Sequence, residues 1–186
     1  NTLEAIRMKA ITGGDNDVSN MILILAKLFK STLREEPIID IRTEVKYCMM
    51  YLELFNIRYG NKLSCSFNIP EEILDYGIIK HLLQPVIENY IIHGYDSDKD
   101  DNCIRVTGHM DNCINFIIED NGKGIRPEKL GEIKNRLENF DLNNTSSIGL
   151  PNVNERIKLA YGKEYGLDIH SEEHMGTTIA IKIDAK

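Results

Sequence analysis

Two stretches of alternating apolar and polar residues, each folded back on itself, do most to limit what this chain can become. The first pairs residues 103–108 with 113–120 across Met110-Asp111-Asn112. The second pairs 166–171 with 177–183 across a turn from Glu173 to Gly176. Alternation at a period of two is the mark of a half-buried strand, and two such runs around a short polar turn read as a hairpin. Helical patterns lie before and between these hairpins, with no regular strand–helix–strand rhythm. The expected architecture is therefore α+β: a two-layer sandwich with helices on one face of a mixed, mostly antiparallel sheet.

The helical segments are readable individually. Residues 1–10 have helical composition, and Gly13-Gly14-Asp15 breaks the pattern. Val18, Met21, Ile22, Leu25, Leu28, Phe29 and Leu33 recur at three- and four-residue steps, an amphipathic helix ending near Glu36-Pro37 that pairs with residues 1–10 as an antiparallel hairpin. Asp40 is placed to cap a helix that stops at Gly60. Residues 63–69 read as a strand. Ile79, Leu82, Leu83, Val86, Tyr90 and Ile91 line one side of a helix expected over 78–93. Further helices are expected near 127–140 and 151–161, separated by the polar run 141–147. Pro151 suits a first helical turn. These elements divide into a helical segment, 1–36, and a sandwich domain, 37–186.

Composition removes several functions from consideration. The net charge is −7 and the pI about 5.3, which argues against a general nucleic-acid or anionic-membrane surface. It leaves room for a small anion held by backbone amides. The four cysteines form no C-x-x-C pair, so neither a zinc nor a redox centre is expected, and they read as reduced thiols. No apolar run approaches the ~20 residues of a bilayer span.

Strand parity singles out two polar side chains. Ile114, Phe116 and Ile118 share a face, and Asp120 continues their row; Thr177 heads the row Ile179, Ile181, Ile183. A carboxylate ending a buried row needs a donor. That donor is either an amide of the following turn or a ligand. Gly122 and Gly124 follow directly, a spacing that allows close backbone approach. On the 78–93 helix, Gln84, Pro85, Glu88 and Asn89 cluster opposite the apolar stripe, with His93 at the edge. A proline inside a helix removes a hydrogen bond, and a broken local rule beside polar residues marks functional sites. Asn89 offers a neutral oxygen of the kind that suits Mg²⁺ already carried by phosphates. Ser147-Ile148-Gly149-Leu150-Pro151-Asn152 precedes a helix, where free amides make an anion site or a plain cap.

These four pieces, in this order, resemble the motifs of sensor histidine kinases. Leu83-Gln84-Pro85-Val86-Ile87-Glu88-Asn89 with His93-Gly94 resembles the N box. Asp120-Asn121-Gly122-Lys123-Gly124 resembles the first glycine box, and Ile148-Gly149-Leu150 with Asn152-Val153-Asn154-Glu155-Arg156 the second. Gly176-Thr177-Thr178 resembles the closing glycine–threonine element. The Leu-Gln-Pro and Asn-Glu-Arg forms are similar to the LytS/YesM subfamily. The resemblance implies the Bergerat ATP-binding fold shared with gyrase, the heat-shock chaperone and MutL. It implies ATP and Mg²⁺ as ligands, a response regulator as partner and a homodimeric parent protein. That parent would sit at the cytoplasmic side of the bacterial inner membrane, anchored only by upstream segments.

By the resemblance, Asp120 accepts the adenine amine, Thr177 supports it, and Asn89 holds Mg²⁺. Gly122 and Gly124, with Ile125 beside them, shape the adenine-side turn. Gly149 and Leu150 offer amides to the phosphates, with His93 and Asn152 among the further contacts, and residues 126–147 form the lid. Asn1-Thr2-Leu3 resembles the end of the subfamily's phospho-acceptor motif, which would put the acceptor histidine four residues before Asn1. Four positions depart from the pattern: Tyr90 for a small residue, Ile92 for a phosphate-contacting Lys, Ser147 for a glycine and Pro151 for an Arg. Phosphoryl transfer to histidine competes with two other readings, a hydrolytic ATPase of the same fold and a non-catalytic dimerisation module. Hydrolytic relatives carry a Glu one helical turn before the Asn, where this chain has Pro85, and Glu88 is the one nearby carboxylate.

Overall fold

A computed structural model describes residues 2–33, 36–139 and 149–185. A five-stranded sheet carries the architecture, in the order β2 (Leu63–Asn68), β4 (Asn102–Met110), β5 (Ile114–Asp120), β7 (Gly176–Ile183), β6 (Gly166–Glu172). Only β2 and β4 run parallel; the other three pairings are antiparallel, including both expected hairpins. One face is apolar. Ile104, Val106, Ile114, Phe116, Ile118, Ile169, Ile179 and Ile181 are buried there beneath the helices, as alternation required. The two-layer α+β sandwich is the observed fold.

The helical layer contains α3 (Ile41–Tyr59), α4 (Gln84–Asn89), α5 (Pro127–Glu138) and α6 (Leu150–Tyr161). Ile41, Cys48, Leu52 and Phe55 give α3 its buried face, and Leu150, Val153 and Ile157 do so for α6. The caps on α3 are those expected: Asp40 Oδ1 accepts the Thr43 N–H at 2.6 Å, and Gly60 closes the other end at φ 75°. At the N-terminus α1 (Thr2–Thr12) and α2 (Asn16–Thr32) pack as a hairpin, and α2 lies on α3. Asp15 caps α2 through the Val18 N–H at 3.0 Å. All four cysteines are free.

The helix expected over 78–93 is corrected in three ways. Ile79 belongs to a short strand, β3 (Gly77–Ile79), which pairs with β1 (Ile38–Asp40) in a separate two-stranded ribbon. Residues 80–83 are a turn, and helix begins only at Gln84. Pro85 is thus in the first turn, where its missing N–H leaves no hydrogen bond unmade, and it causes no kink. A π-helical turn, Tyr90–Gly94, follows α4, closed by the Tyr95 N–H on the Tyr90 carbonyl at 2.8 Å. The polar run 141–147, with Ser147 and the corresponding part of the expected lid, lies outside the described residues.

Candidate functional site

Asp120 and Thr177 are direct cross-strand partners at the end of β5 and β7, one step beyond Ile118 and Ile179. Both line a cleft of about 650 Å³ between the sheet, α4, α5 and the start of α6, a size suited to a small ligand. Asp120 Oδ1 accepts the N–H groups of Gly122 at 2.8 Å and Thr177 at 3.2 Å. The structural and ligand-binding readings of this acid are therefore compatible. One oxygen closes the turn, while Oδ2 accepts no hydrogen bond among the described residues. Burial drives the pKa of Asp120 up from 3.8 to about 6, against the lowering effect of the two amides.

Thr177 has a partner that sequence reasoning missed. Ser171 stands opposite it on β6, so strand parity could have found it. Ser171 Oγ donates to the Gly176 carbonyl at 2.7 Å, accepts the Ile125 N–H at 2.9 Å, and lies 2.9 Å from Thr177 Oγ1. With its own proton spent on Gly176, Ser171 takes the Thr177 proton. The threonine lone pairs are then left as acceptors toward the cleft.

The two glycines are crowded by neighbouring backbone. A Cβ at Gly122 would stand 2.3 Å from the Gly94 carbonyl oxygen and 2.9 Å from Asp120 Oδ1. One at Gly124, φ 64°, would stand 1.9 Å from the Glu172 carbonyl oxygen. The crowding comes from the protein itself: the first glycine box closes against the π-turn and the β6–β7 hairpin. Gly124 and Ile125 line the cleft, and Gly122 lies behind it.

Asn89 enters the cleft from α4. Its Nδ2 donates to the Pro85 carbonyl at 2.7 Å, which commits the nitrogen and turns Oδ1 toward Gly149. Gly149, φ 129°, precedes α6 and faces Asn89 across 3.5 Å, measured from the position its Cβ would take. Pro151 has no N–H, and the amides of Asn152 and Val153 turn back to the Gly149 carbonyl at 3.0 and 3.3 Å. Among the described residues, the amides of Gly149 and Leu150 at this helix end have no hydrogen-bond acceptor. Leu150, Pro151 and His93 line the cleft. Asn152 is exposed and outside the lining, and its amide is committed to the Gly149 carbonyl. Ile92 is 68% exposed and also outside the lining. Tyr90 is buried, donating to Asn102 Oδ1 at 3.3 Å, so the larger side chain finds a partner beneath the site. Glu88 accepts from Gln84 Nε2 at 2.8 Å and is not part of the lining.

Lys123, Arg126, Lys129 and Arg136 line the cleft together with Asp96, Glu132 and Glu173, a rim of mixed charge. Arg126 approaches Glu173 at 3.5 Å and Lys129 meets Glu132 at 2.8 Å.

The family model described as histidine kinase-, DNA gyrase B-, and HSP90-like ATPase matches residues 75–186, and that described as histidine kinase matches residues 1–63. The chain belongs to the histidine kinase-, DNA gyrase B- and HSP90-like ATPases. The sensor histidine kinase YesM of Bacillus subtilis (strain 168) is 30% identical over 188 residues, covering 100% of this chain and 31% of that protein. The sensor protein kinase HptS of Staphylococcus aureus (strain USA300) is 29% identical over 184 residues, covering 98% and 35%. This ATPase-family chain therefore spans about a third of the length of the curated relatives it matches. The solved histidine kinase ThkA in complex with the response regulator protein TrrA has a TM-score of 0.56 at 14% identity. It matches over 95% of this chain and 52% of that one, a likeness of fold.

Proposed function

We propose that this chain binds Mg·ATP in the cleft as the ATP-binding part of a two-component sensor histidine kinase. In that protein the γ-phosphoryl group passes to a histidine outside the chain and then to a response regulator. Residues 1–36 would be part of the dimerising, phospho-accepting helices of a homodimer, and 37–186 the catalytic domain. The observation that carries the reading is Asp120: a half-buried carboxylate with one oxygen satisfied by amides and the other open to a cleft. Such a group selects a ligand with an N–H donor on a flat, dehydratable ring. Thr177, presenting lone pairs beside it, accepts a further donor directly or through water.

The phosphate end follows from charge. Gly149 and Leu150 amides and the Lys and Arg side chains of the lining take the anionic groups. A single neutral side-chain oxygen cannot hold Mg²⁺ alone, but Asn89 Oδ1, fixed by the Nδ2–Pro85 bond, fits an ion that arrives with the phosphates. Bound there, Mg²⁺ would neutralise charge on the phosphoryl group. Transfer is favoured over hydrolysis because water attack needs a positioned base. Pro85 has no titratable group, and Glu88 is turned to Gln84, away from the cleft lining. No helix among the described residues is long and apolar enough to cross a membrane; membrane attachment of the parent protein would rest on other segments. Calorimetry with ATP and ADP, with and without Mg²⁺, tests the reading: no heat of binding from either nucleotide would overturn it.

A further inference from the structure

The turn between β3 and α4, residues 80–83, and Gln84 at the start of α4 are gripped from three sides by side chains that do not line the cleft. From α3, the fully buried Glu44 places Oε1 on the N–H groups of Leu83 at 3.0 Å and Gln84 at 3.3 Å, and Oε2 on that of His81 at 3.0 Å. From α6, Arg156 donates to the His81 carbonyl at 2.9 Å and to the Lys80 carbonyl. The buried Lys80 in turn donates through Nζ to the Ser31 carbonyl in the last turn of α2. His81 sits at φ 56°, a conformation a non-glycine residue keeps only where its surroundings over-determine it. Here both its amide and its carbonyl are claimed by buried or bidentate charged groups.

Four helices therefore meet at five residues. The turn runs straight into α4, where Asn89 sits five residues after Gln84, and Arg156 belongs to α6, six residues after Leu150. A shift of α2 must either carry the Lys80 side chain with it or break its bond. The turn cannot absorb that shift alone, because three of its amides and two of its carbonyls are held by other helices. Packed, hydrogen-bonded elements of this kind move as units between discrete arrangements.

We propose that this turn is the joint through which the α1–α2 hairpin sets Asn89 against the start of α6, with Glu44 and Arg156 as positioning residues and Lys80 as the pin to α2. The proposal rests on the assignment of Asn89 to Mg·nucleotide. None of the three side chains lines the cleft. Their effect is on the metal-dependent part of binding, while the Asp120 end of the cleft, built on β5 and β7, is left in place. Coupling of this kind is reciprocal: what α2 does to nucleotide affinity, nucleotide does to α2.

The test uses the whole chain and ADP, titrated in EDTA and in Mg²⁺. The ratio of the two affinities reads Asn89; the EDTA affinity alone reads Asp120. Glu44→Gln keeps the Oε1 pair but sets an amide NH₂ against the His81 N–H. It is expected to lower the ratio about tenfold, the cost of one buried charged hydrogen bond, with the EDTA affinity within about twofold of native. Lys80→Met keeps the stem and removes the pin. It is expected to lower the ratio in the same direction and to abolish the change in amide exchange that Mg·ADP produces over residues 28–33 of the native chain. Equal loss of both affinities in Glu44→Gln, or an unchanged ratio with only a lower melting temperature, overturns the joint and leaves Glu44 as a structural acid. Unchanged ligand-dependent exchange over 28–33 in Lys80→Met overturns the pin. A native chain that binds ADP without any gain from Mg²⁺ overturns both the joint and the role of Asn89; one that binds no nucleotide overturns the functional reading with them.

Discussion

Replacing Asp120 by Asn is expected to make the protein more stable and less able to bind nucleotide. The carboxyl pKa rises from 3.8 to about 6 because burial outweighs two amide hydrogen bonds. Below pH 3.8 the group is protonated whether the chain is folded or not. Between 3.8 and about 6 the folded protein still holds a proton that the unfolded chain has released, so stability falls as pH rises through this window and stays lowered above it. A difference of that size is worth about 3 kcal/mol against the native state at pH 8. Asn carries no charge to desolvate, and its Oδ1 can keep the Gly122 and Thr177 amides at 2.8 and 3.2 Å. The pKa shift is already net of the two amide hydrogen bonds, so nothing further is subtracted for them. The gain at pH 8 is about 3 kcal/mol, or roughly 6–12 °C in melting temperature for a domain of this size.

Urea or thermal unfolding of both proteins from pH 4 to 8 measures this directly. The native curve should lose stability between pH 4 and 6.5 relative to the variant, and the two should converge near pH 4. Parallel curves, or a variant less stable than native at pH 8, would refute the argument that Asp120 is an uncompensated buried charge. Nucleotide affinity should move the other way. The variant loses one charged hydrogen bond, about ten- to a hundredfold in affinity. Native affinity should weaken by up to about tenfold per unit as pH drops below 6, because the proton occupies the oxygen that accepts the ligand donor.

Three further outcomes are expected. Asn89→Ala should abolish the gain in ADP affinity that Mg²⁺ provides, while affinity in EDTA stays within about twofold by calorimetry, because Asn89 contributes an oxygen and no adenine-side contact. Gly122→Ala drives a methyl group into the Gly94 carbonyl and Asp120 Oδ1; it should cost about 2–4 kcal/mol in urea unfolding and weaken nucleotide binding with it. The chain incubated with labelled ATP should take up no acid-labile phosphate and should hydrolyse ATP at a slow background rate that Glu88→Gln leaves unchanged. Steady turnover near ~1 s⁻¹ that Glu88→Gln abolishes would restore the hydrolytic reading.

What could be read without coordinates depended on how far away each polar group finds its partner. Asp120 and Thr177 were legible because strand alternation is rigid over a few residues, and their partners lie two residues away or directly across the register. Ser171 was within reach of the same argument. The helix at 78–93 misled because Ile79, Leu82 and Leu83 are buried at helix-like steps while lying in a strand and a turn. Apolar periodicity reports which side chains leave water, and a turn packed against a core can satisfy it as well as a helix can. Pro85 then looked like an interior break when it occupies the first turn. Glu44 gave no signal at all: on an amphipathic helix it reads as one more solvated acid, and its donors come from residues 37–40 positions later in the chain. Arg156 reaches 75 positions back to the His81 carbonyl, and Lys80 reaches 49 back to Ser31. Long-range pairing of charged side chains with backbone groups has no period and no local composition. It follows that the groups holding the site's parts in register are the ones a sequence conceals, and that the ligand-facing groups, set on regular strands and helix ends, are the ones it exposes.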